Sequence, residues 1–303
     1  MTIWESLRVF FSRSWVRWSL LILLAVGVGW LLAVLWIPAP QVGVIHFPYA
    51  IWPETAEWLE AQLRYAEEDP SIRAIVIEVD SPGGEASTSE RLYFEVLRLR
   101  KNKPVLVKVN TMAASGAYYL AAAADEILAT PSSDVGNIGV ISMLPEPSFV
   151  VEDYLFTGPF KAFGSPRDSY MRQMEVLKES FLESVWAQRG HIFEEKAVDR
   201  TTLSRGEVYV GTLSLQMGLI DALGSRQDAV DRAAELANLR HFSVVDITEV
   251  MSTTGQLPTL YQGLSPENLP TRLAKDNWGA GYYFLYIPPT VGEPHAPQQK
   301  GGE

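Results

Sequence analysis

Ala113-Ala114-Ser115-Gly116-Ala117-Tyr118-Tyr119-Leu120 follows directly on the apolar run Val105-Leu106-Val107-Lys108-Val109, which Pro104 opens. The β-branched run reads as a buried strand, and residues 114–124 read as a helix. A serine at such a junction stands at the edge of a sheet. The first N–H groups of the helix are unpaired there and point at any oxyanion that forms. Small neighbours leave room for an extended substrate, so Ser115 is a candidate nucleophile. The same octapeptide also reads as a tight helix start with Ser115 as its cap. The rest of the chain has to separate the two readings.

Upstream, residues 74–79 are nearly all apolar, as in parallel strands covered on both faces. They run into Asp80-Ser81-Pro82-Gly83-Gly84. Two glycines after a proline let the backbone approach a ligand closely with exposed N–H groups. That suits an oxyanion hole, although an ordinary loop would use the same glycines. A helix over 87–100 joins this turn to the serine strand. Before it come a strand at 42–47 and a helix that starts at Pro53 and ends before Asp69-Pro70. Ala56, Leu59, Leu63 and Ala66 share one face of that helix. Strand, glycine turn, helix, strand, serine and helix make an α/β progression with right-handed crossovers.

Downstream, residues 125–129 read as a short strand, and Gly136-Asn137-Ile138-Gly139-Val140-Ile141 as another whose glycines suit a tight path near the serine. Residues 145–151 read as a mobile surface loop. Pro166 begins a helix on which Tyr170, Met174, Leu177, Phe181 and Val185 form one apolar face, for the core or for a subunit contact. A helix over 229–238 and a closing strand over 243–246 follow. Beyond Met251 prolines interrupt regular structure, and Tyr282-Tyr283-Phe284-Leu285-Tyr286-Ile287 is an isolated aromatic run that packs on the domain or on a neighbour. Residues 290–303 are rich in proline and glycine and read as disordered.

With 303 residues, 47% of them hydrophobic, the chain can bury a full core in one large domain or two small ones. Cysteine is absent, which excludes disulfides, thiol catalysis and cysteine-ligated zinc. A net charge of −11, with no basic run beyond the N-terminus, argues against a nucleic-acid surface. Residues 18–37 are twenty positions without a charge, long enough for one bilayer-crossing helix. Arg8, Arg13 and Arg17 precede this stretch against a single Glu5, so the positive-inside rule keeps 1–17 cytoplasmic and sends the remainder across the cell membrane. A cleaved signal peptide is the competing reading. Its apolar core would be shorter and followed by a small-x-small site, whereas Trp36-Ile37-Pro38-Ala39-Pro40 follows here, which favours a retained single-pass anchor. The expected organisation is a cytoplasmic N-terminus at 1–17, an anchor at 18–37, a catalytic domain at 41–250 and a partly disordered extension at 251–303.

A serine needs a base to act as a nucleophile at neutral pH. The four histidines, His46, His191, His241 and His295, stand in a strand, after a helix, before a strand and in the tail. A Ser-His-Asp triad stays open, since its members can be distant in sequence. A lysine base needs its pKa, ordinarily about 10.4, brought down by roughly three units. Lys161 lies in Gly158-Pro159-Phe160-Lys161-Ala162-Phe163-Gly164-Ser165-Pro166. Its aromatic neighbours can desolvate it when the segment docks over the serine, disfavouring the ammonium form. The plainer reading is a solvated loop lysine. Lys108 is the fallback base.

Several segments together resemble the signal peptide peptidase A family of membrane-bound serine peptidases. They are Val79-Asp80-Ser81-Pro82-Gly83-Gly84, Ala113-Ala114-Ser115-Gly116-Ala117-Tyr118-Tyr119, the 121–125 alanine run ending in Asp125, the 136–141 segment, Lys161 with Gly164-Ser165-Pro166, and Gly218-Leu219-Ile220-Asp221 with Leu223-Gly224. The resemblance implies a crotonase-like (ClpP-like) fold, a superhelix of repeated ββα units, over residues 42–245. It further implies Ser115 as nucleophile, Lys161 as general base, and the N–H groups of Gly84 and Gly116, beside Gly83, as the oxyanion and substrate-binding site. No metal or cofactor is implied. The partners implied are peptides, such as remnant signal peptides or membrane-protein tails, the membrane, and further copies of the chain in a ring whose lysine reaches a neighbour's serine. The family carries tyrosine before the lysine, where this chain has Phe160, and a longer segment ahead of it. Two other readings stand beside this one, an acyl-CoA enzyme on the same fold and an inactive scaffold that binds peptides or membrane proteins.

Overall fold

The computed structural model describes residues 14–36, 39–143, 157–158, 160–161, 164–258 and 281–287. The expectations for Arg8 and Arg13, for the 145–151 loop and for the 290–303 tail lie outside these residues. The chain divides into two units, Met1–Pro40 and Gln41–Glu303. The first holds one helix, α1 (Ser14–Trp36), whose side chains are described over 18–32 and are exposed throughout. Among the described residues no helix is long and apolar enough to cross a membrane.

The second unit begins β1 (Gln41–Phe47), α2 (Pro53–Glu68), β2 (Ile72–Ser81), β3 (Gly83–Glu85), α3 (Ala86–Leu99), β4 (Val105–Ala114) and α4 (Gly116–Ala122). It continues with β5 (Glu126–Ala129), β6 (Asp134–Gly136), β7 (Ile141–Met143), α5 (Arg167–Glu195), α6 (Arg200–Leu203), β8 (Val208–Val210) and α7 (Gly211–Met217). It closes with β9 (Ala222–Leu223), α8 (Arg226–Leu236), β10 (Ser243–Asp246), α9 (Ile247–Thr253) and β11 (Gly281–Leu285). The main sheet runs β10-β1-β2-β4-β5-β9, all parallel, and β6 pairs parallel with β4 and antiparallel with β8. This is an α/β fold, as the alternation of apolar runs and amphipathic helices predicts.

The central strands are continuously apolar because both faces are covered. Ile45, Ile75, Ile77 and Val107 belong to one core cluster, which takes in Leu59 and Leu63 of α2 and Leu92 and Val96 of α3. Val42, Val44, Ala74, Val76 and Leu106 belong to the other, with Ala229, Val230 and Ala233 of α8. Pro53 opens α2, where its missing N–H costs nothing. The residue before Pro70 is pushed out of the helical region, and Asp69 accordingly sits extended at φ −77°, ψ 114°.

Two elements differ from the sequence reading. Residues 136–141 are not one strand. Gly136 at φ 107° and Asn137 at φ 58° turn the chain out of the sheet. Asn137 is held there by its N–H to Glu207 O (2.7 Å) and its Nδ2 to Gly206 O (2.6 Å). The freed β7 joins a second, antiparallel sheet of order β3-β11-β7. The aromatic run near the C-terminus is the middle strand of that sheet. The other difference is at the serine, where β4 continues through Ala114 and α4 begins only at Gly116.

Candidate active site

Ser115 is the single residue between β4 and α4. The strand is pinned up to it, because Ala113 is opposite Ser81 and Val135 and Ala114 is opposite Gly136. Ser115 N–H donates to Gly136 O (2.7 Å), and Ser115 O accepts Tyr119 N–H (2.9 Å). Held from both sides, Ser115 adopts φ 53°, ψ −118°. A side chain in such a region costs on the order of 1–3 kcal/mol and persists only where the surroundings enforce it. Its side chain accepts no helix N–H, so it is not a cap. The residue is 1% exposed, and among the described residues its Oγ has no hydrogen-bond partner. A buried hydroxyl left unpaired costs about 1–3 kcal/mol, and orphans of this kind call for a functional account.

The glycine turn packs on this junction. Gly83 has φ 91°, and a β-carbon on it would lie 2.6 Å from Gly116 N and 3.0 Å from Ala114 O. One on Gly84 would lie 1.9 Å from Ile51 O, and one on Gly116 2.3 Å from Ser89 Oγ. Gly83 O accepts Ile51 N–H (2.8 Å) and Ile51 O accepts Glu85 N–H (2.9 Å), so this edge of β3 is taken and Gly84 faces β11 on the other. Ser115, Gly116, Gly83 and Gly84 thus lie together where the glycine turn meets the junction of β4 and α4.

Neither candidate lysine is hydrogen-bonded to this group. Lys161 is exposed, its N–H donates to Gly158 O (3.4 Å), and Phe160 beside it is also exposed. Lys108 is buried, its Nζ donates to Val109 O (2.6 Å), and burial pulls its pKa down against the attraction of Glu78. Neither amine hydrogen-bonds Ser115 Oγ. His46 is engaged elsewhere, between Glu78 and Asp246, and His191 and His241 are exposed. Asp80, at the head of the glycine turn, has its pKa raised by burial, against hydrogen bonds from Thr111 and Met112.

Two features of the site escaped the sequence reading. One is β11, which lies against the glycines. The other is Arg189 of α5, which is buried and binds both oxygens of Asp221 (3.0 and 2.9 Å) as well as Gly218 O (2.9 Å). Asp221 Oδ2 also accepts Ile127 N–H (2.7 Å), and Tyr118 Oη donates to Leu219 O (3.0 Å). The Gly218-Leu219-Ile220-Asp221 segment therefore anchors the helix that follows Ser115.

The model of peptidase family S49 matches residues 98–240, from the end of α3 through Ser115 and Lys161 to just beyond α8. Over these residues the chain is similar to the peptidase S49 family. That is the serine peptidase family its motifs resemble. Over 197 residues the chain is 34% identical to Protease 4 of Haemophilus influenzae, covering 60% of this chain and 31% of that protein. Over 220 residues it is 30% identical to the chloroplastic serine protease SPPA of Arabidopsis thaliana, covering 69% of this chain and 32% of that one. It thus spans about a third of the length of these two curated relatives. Among solved structures it is similar to the ClpP protease catalytic domain from Plasmodium falciparum, with a TM-score of 0.42 at 15% identity, over 61% of this chain and 86% of that one. The S49 match includes Ser115 and Gly116, while Gly83 and Gly84 stand just ahead of it.

Proposed function

We propose that this S49 domain is a membrane-anchored serine endopeptidase that cleaves extended apolar peptides near the membrane, remnant signal peptides or membrane-protein tails among them. The observation that carries the reading is the buried, partnerless Ser115 Oγ at a strained backbone position beside three glycines. Ser115 Oγ attacks the scissile carbonyl, and the Lys161 amine takes its proton. The N–H groups of Gly84 and Gly116 hold the tetrahedral oxyanion, and the proton passes from Lys161 to the departing amine. Water then hydrolyses the acyl-enzyme by the same route. Since Lys161 is exposed within one chain, it acts on the Ser115 of a neighbouring protomer in a homo-oligomer, where the contact excludes water from its amine. Residues 18–37 supply the anchor, with the N-terminus cytoplasmic and the catalytic domain outside.

The same exposure of Lys161 favours a second reading, a peptide-binding scaffold without turnover. A fluorophosphonate probe and an apolar fluorogenic peptide separate the two, applied to the full chain beside Ser115→Ala and Lys161→Ala. Labelling at Ser115 together with cleavage, both lost in the two variants, is the expected result. A confirmed oligomer that neither labels nor cleaves would leave the scaffold.

A further inference from the structure

The parallel strands give the second unit two unlike edges. β10, β1, β2, β4, β5 and β9 all begin on one edge, and Ser115 follows the last residue of β4 on the other. The starting edge is basic, although the whole chain carries a net charge of −11. Arg73 is the second residue of β2, Arg100, Lys101 and Lys103 stand before β4, and Arg240 and His241 stand before β10. Arg73, Lys101, Arg240 and His241 are exposed, and among the described residues none of them forms an ion pair. Arg100 Nη1 donates to the carbonyls of Ala123 and Ala124 (2.9 and 3.1 Å), and Lys103 Nζ to those of Ala66 and Asp69 (both 2.7 Å). Carbonyls at the ends of α4 and α2 satisfy these donors without supplying a full negative charge. The carboxylates of the same edge are already bound. Asp69 accepts from Ser71, Asp125 from the Val105 N–H, Glu126 from Arg232 and Asp221 from Arg189. Glu68, on the last turn of α2, is one turn from the exposed Arg64.

We propose that this edge of the sheet docks on an anionic phospholipid surface. The inference deepens the membrane-anchored reading and rests on it for the nearness of a bilayer. Gln41 opens β1 on the same edge, and in sequence only Pro38, Ala39 and Pro40 separate it from the stretch proposed as the anchor. So short a tether keeps the edge within reach of the headgroups. Each lysine or arginine close to an anionic surface adds attraction, which salt screens within a Debye length. Docking by this edge turns the far ends of the strands away from the lipid. β4 is 10 residues long, and at about 3.3 Å per residue it carries Ser115 roughly 30 Å beyond the docked edge. The substrates are then segments that have left the bilayer, because an apolar stretch still inside it does not reach Ser115.

The chain has no cysteine, so a single introduced one places a fluorophore at a chosen point of the full chain. Asn102→Cys reports from the basic edge, and Ser132→Cys, also exposed, from the far edge beyond β5. Each labelled chain is reconstituted in nanodiscs of phosphatidylcholine, alone or with an equal part of phosphatidylglycerol, that include a lipid with a quencher on its headgroup. Quenching at 102 is expected to show a docked-to-free ratio that rises roughly tenfold or more with phosphatidylglycerol. The ratio is expected to fall back in molar salt and in the chain with Lys101→Glu and Arg240→Glu, and quenching at 132 to stay absent throughout. Equal quenching at 102 in the two lipids, or as much at 132 as at 102, would overturn the inference. Shielding of 102 without lipid that grows with protein concentration would also overturn it, by giving the edge to a second copy of the chain. Failure of the anchored reading looks different, with molar salt releasing the chain from phosphatidylglycerol vesicles altogether while quenching at 102 persists in low salt.

Discussion

Gly83 shows how little freedom the residues around Ser115 have. At φ 91°, with Gly116 N 2.6 Å from the place a β-carbon would take, an alanine has neither the backbone conformation nor the space. If Gly84 and Gly116 hold the oxyanion, Gly83→Ala displaces both donors. Peptide turnover is then expected to fall by about a hundredfold or more, measured as kcat/KM, with the far-ultraviolet dichroism unchanged. Asp221 carries a different cost. It neutralises a guanidinium buried under α5, and breaking such a pair from one side costs about 3–5 kcal/mol. Asp221→Ala is expected to lower the urea midpoint accordingly, and Asp221→Ala with Arg189→Met to recover much of the loss. Gly83 and Gly84 stand out in the sequence because close backbone approach demands them, and Ser115 because it stands among small residues where a strand gives way to a helix. Arg189 does not, since nothing local distinguishes a helix arginine that faces solvent from one that meets an aspartate on another segment.

Across β10, β1, β2 and β4 runs a row of charged groups. His46 is in register with Glu78, and Glu78 with Lys108. His46 Nδ1 is 2.5 Å from Glu78 Oε2 and Nε2 2.6 Å from Asp246 Oδ2, while Arg226 of α8 comes within 3.6 Å of Glu78 and 3.9 Å of Asp246. The hydrogen bond to Glu78, with further help from Asp246, raises the pKa of His46 above its ordinary 6.5 against the opposing pull of burial. A pKa raised on folding means that the folded state binds the proton more tightly. The resulting stability is fully present below about pH 6.5 and is lost as pH rises through the elevated value. Urea unfolding at a series of pH values is expected to show stability falling across that window, and His46→Gln to flatten the fall. Strands and helices were readable where prolines, apolar runs and helical spacing mark them, as in β2, α2 and α5. The break between β6 and β7 was not, because Asn137 owes its left-handed backbone to carbonyls of Gly206 and Glu207 far along the chain.

Lys161 and β11 carry the questions that one chain's site at the end of β4 leaves to the whole molecule. If the lysine serves a neighbour's serine, a mixture of Ser115→Ala and Lys161→Ala chains, each inactive alone, is expected to regain peptide turnover on co-assembly. No regain from a confirmed mixed oligomer would place the base within one protomer. The sequence pointed to the lysine through its motif but could not give its surroundings, which depend on what packs over the segment. The place of β11 was equally hidden. Alternating aromatic residues announce a strand, and only the vacant edges of β3 and β7 decide where that strand goes. If an incoming peptide takes the place of β11, those two edges also act as a filter on the state of a polypeptide before its sequence matters. Whatever replaces β11 must arrive extended, with both backbone edges bare. A segment in a helix, or in a sheet of a folded protein, meets none of these conditions. If this groove serves the proposed peptidase, the arrangement spares intact proteins and admits loose ends, released fragments and chains that have lost their fold.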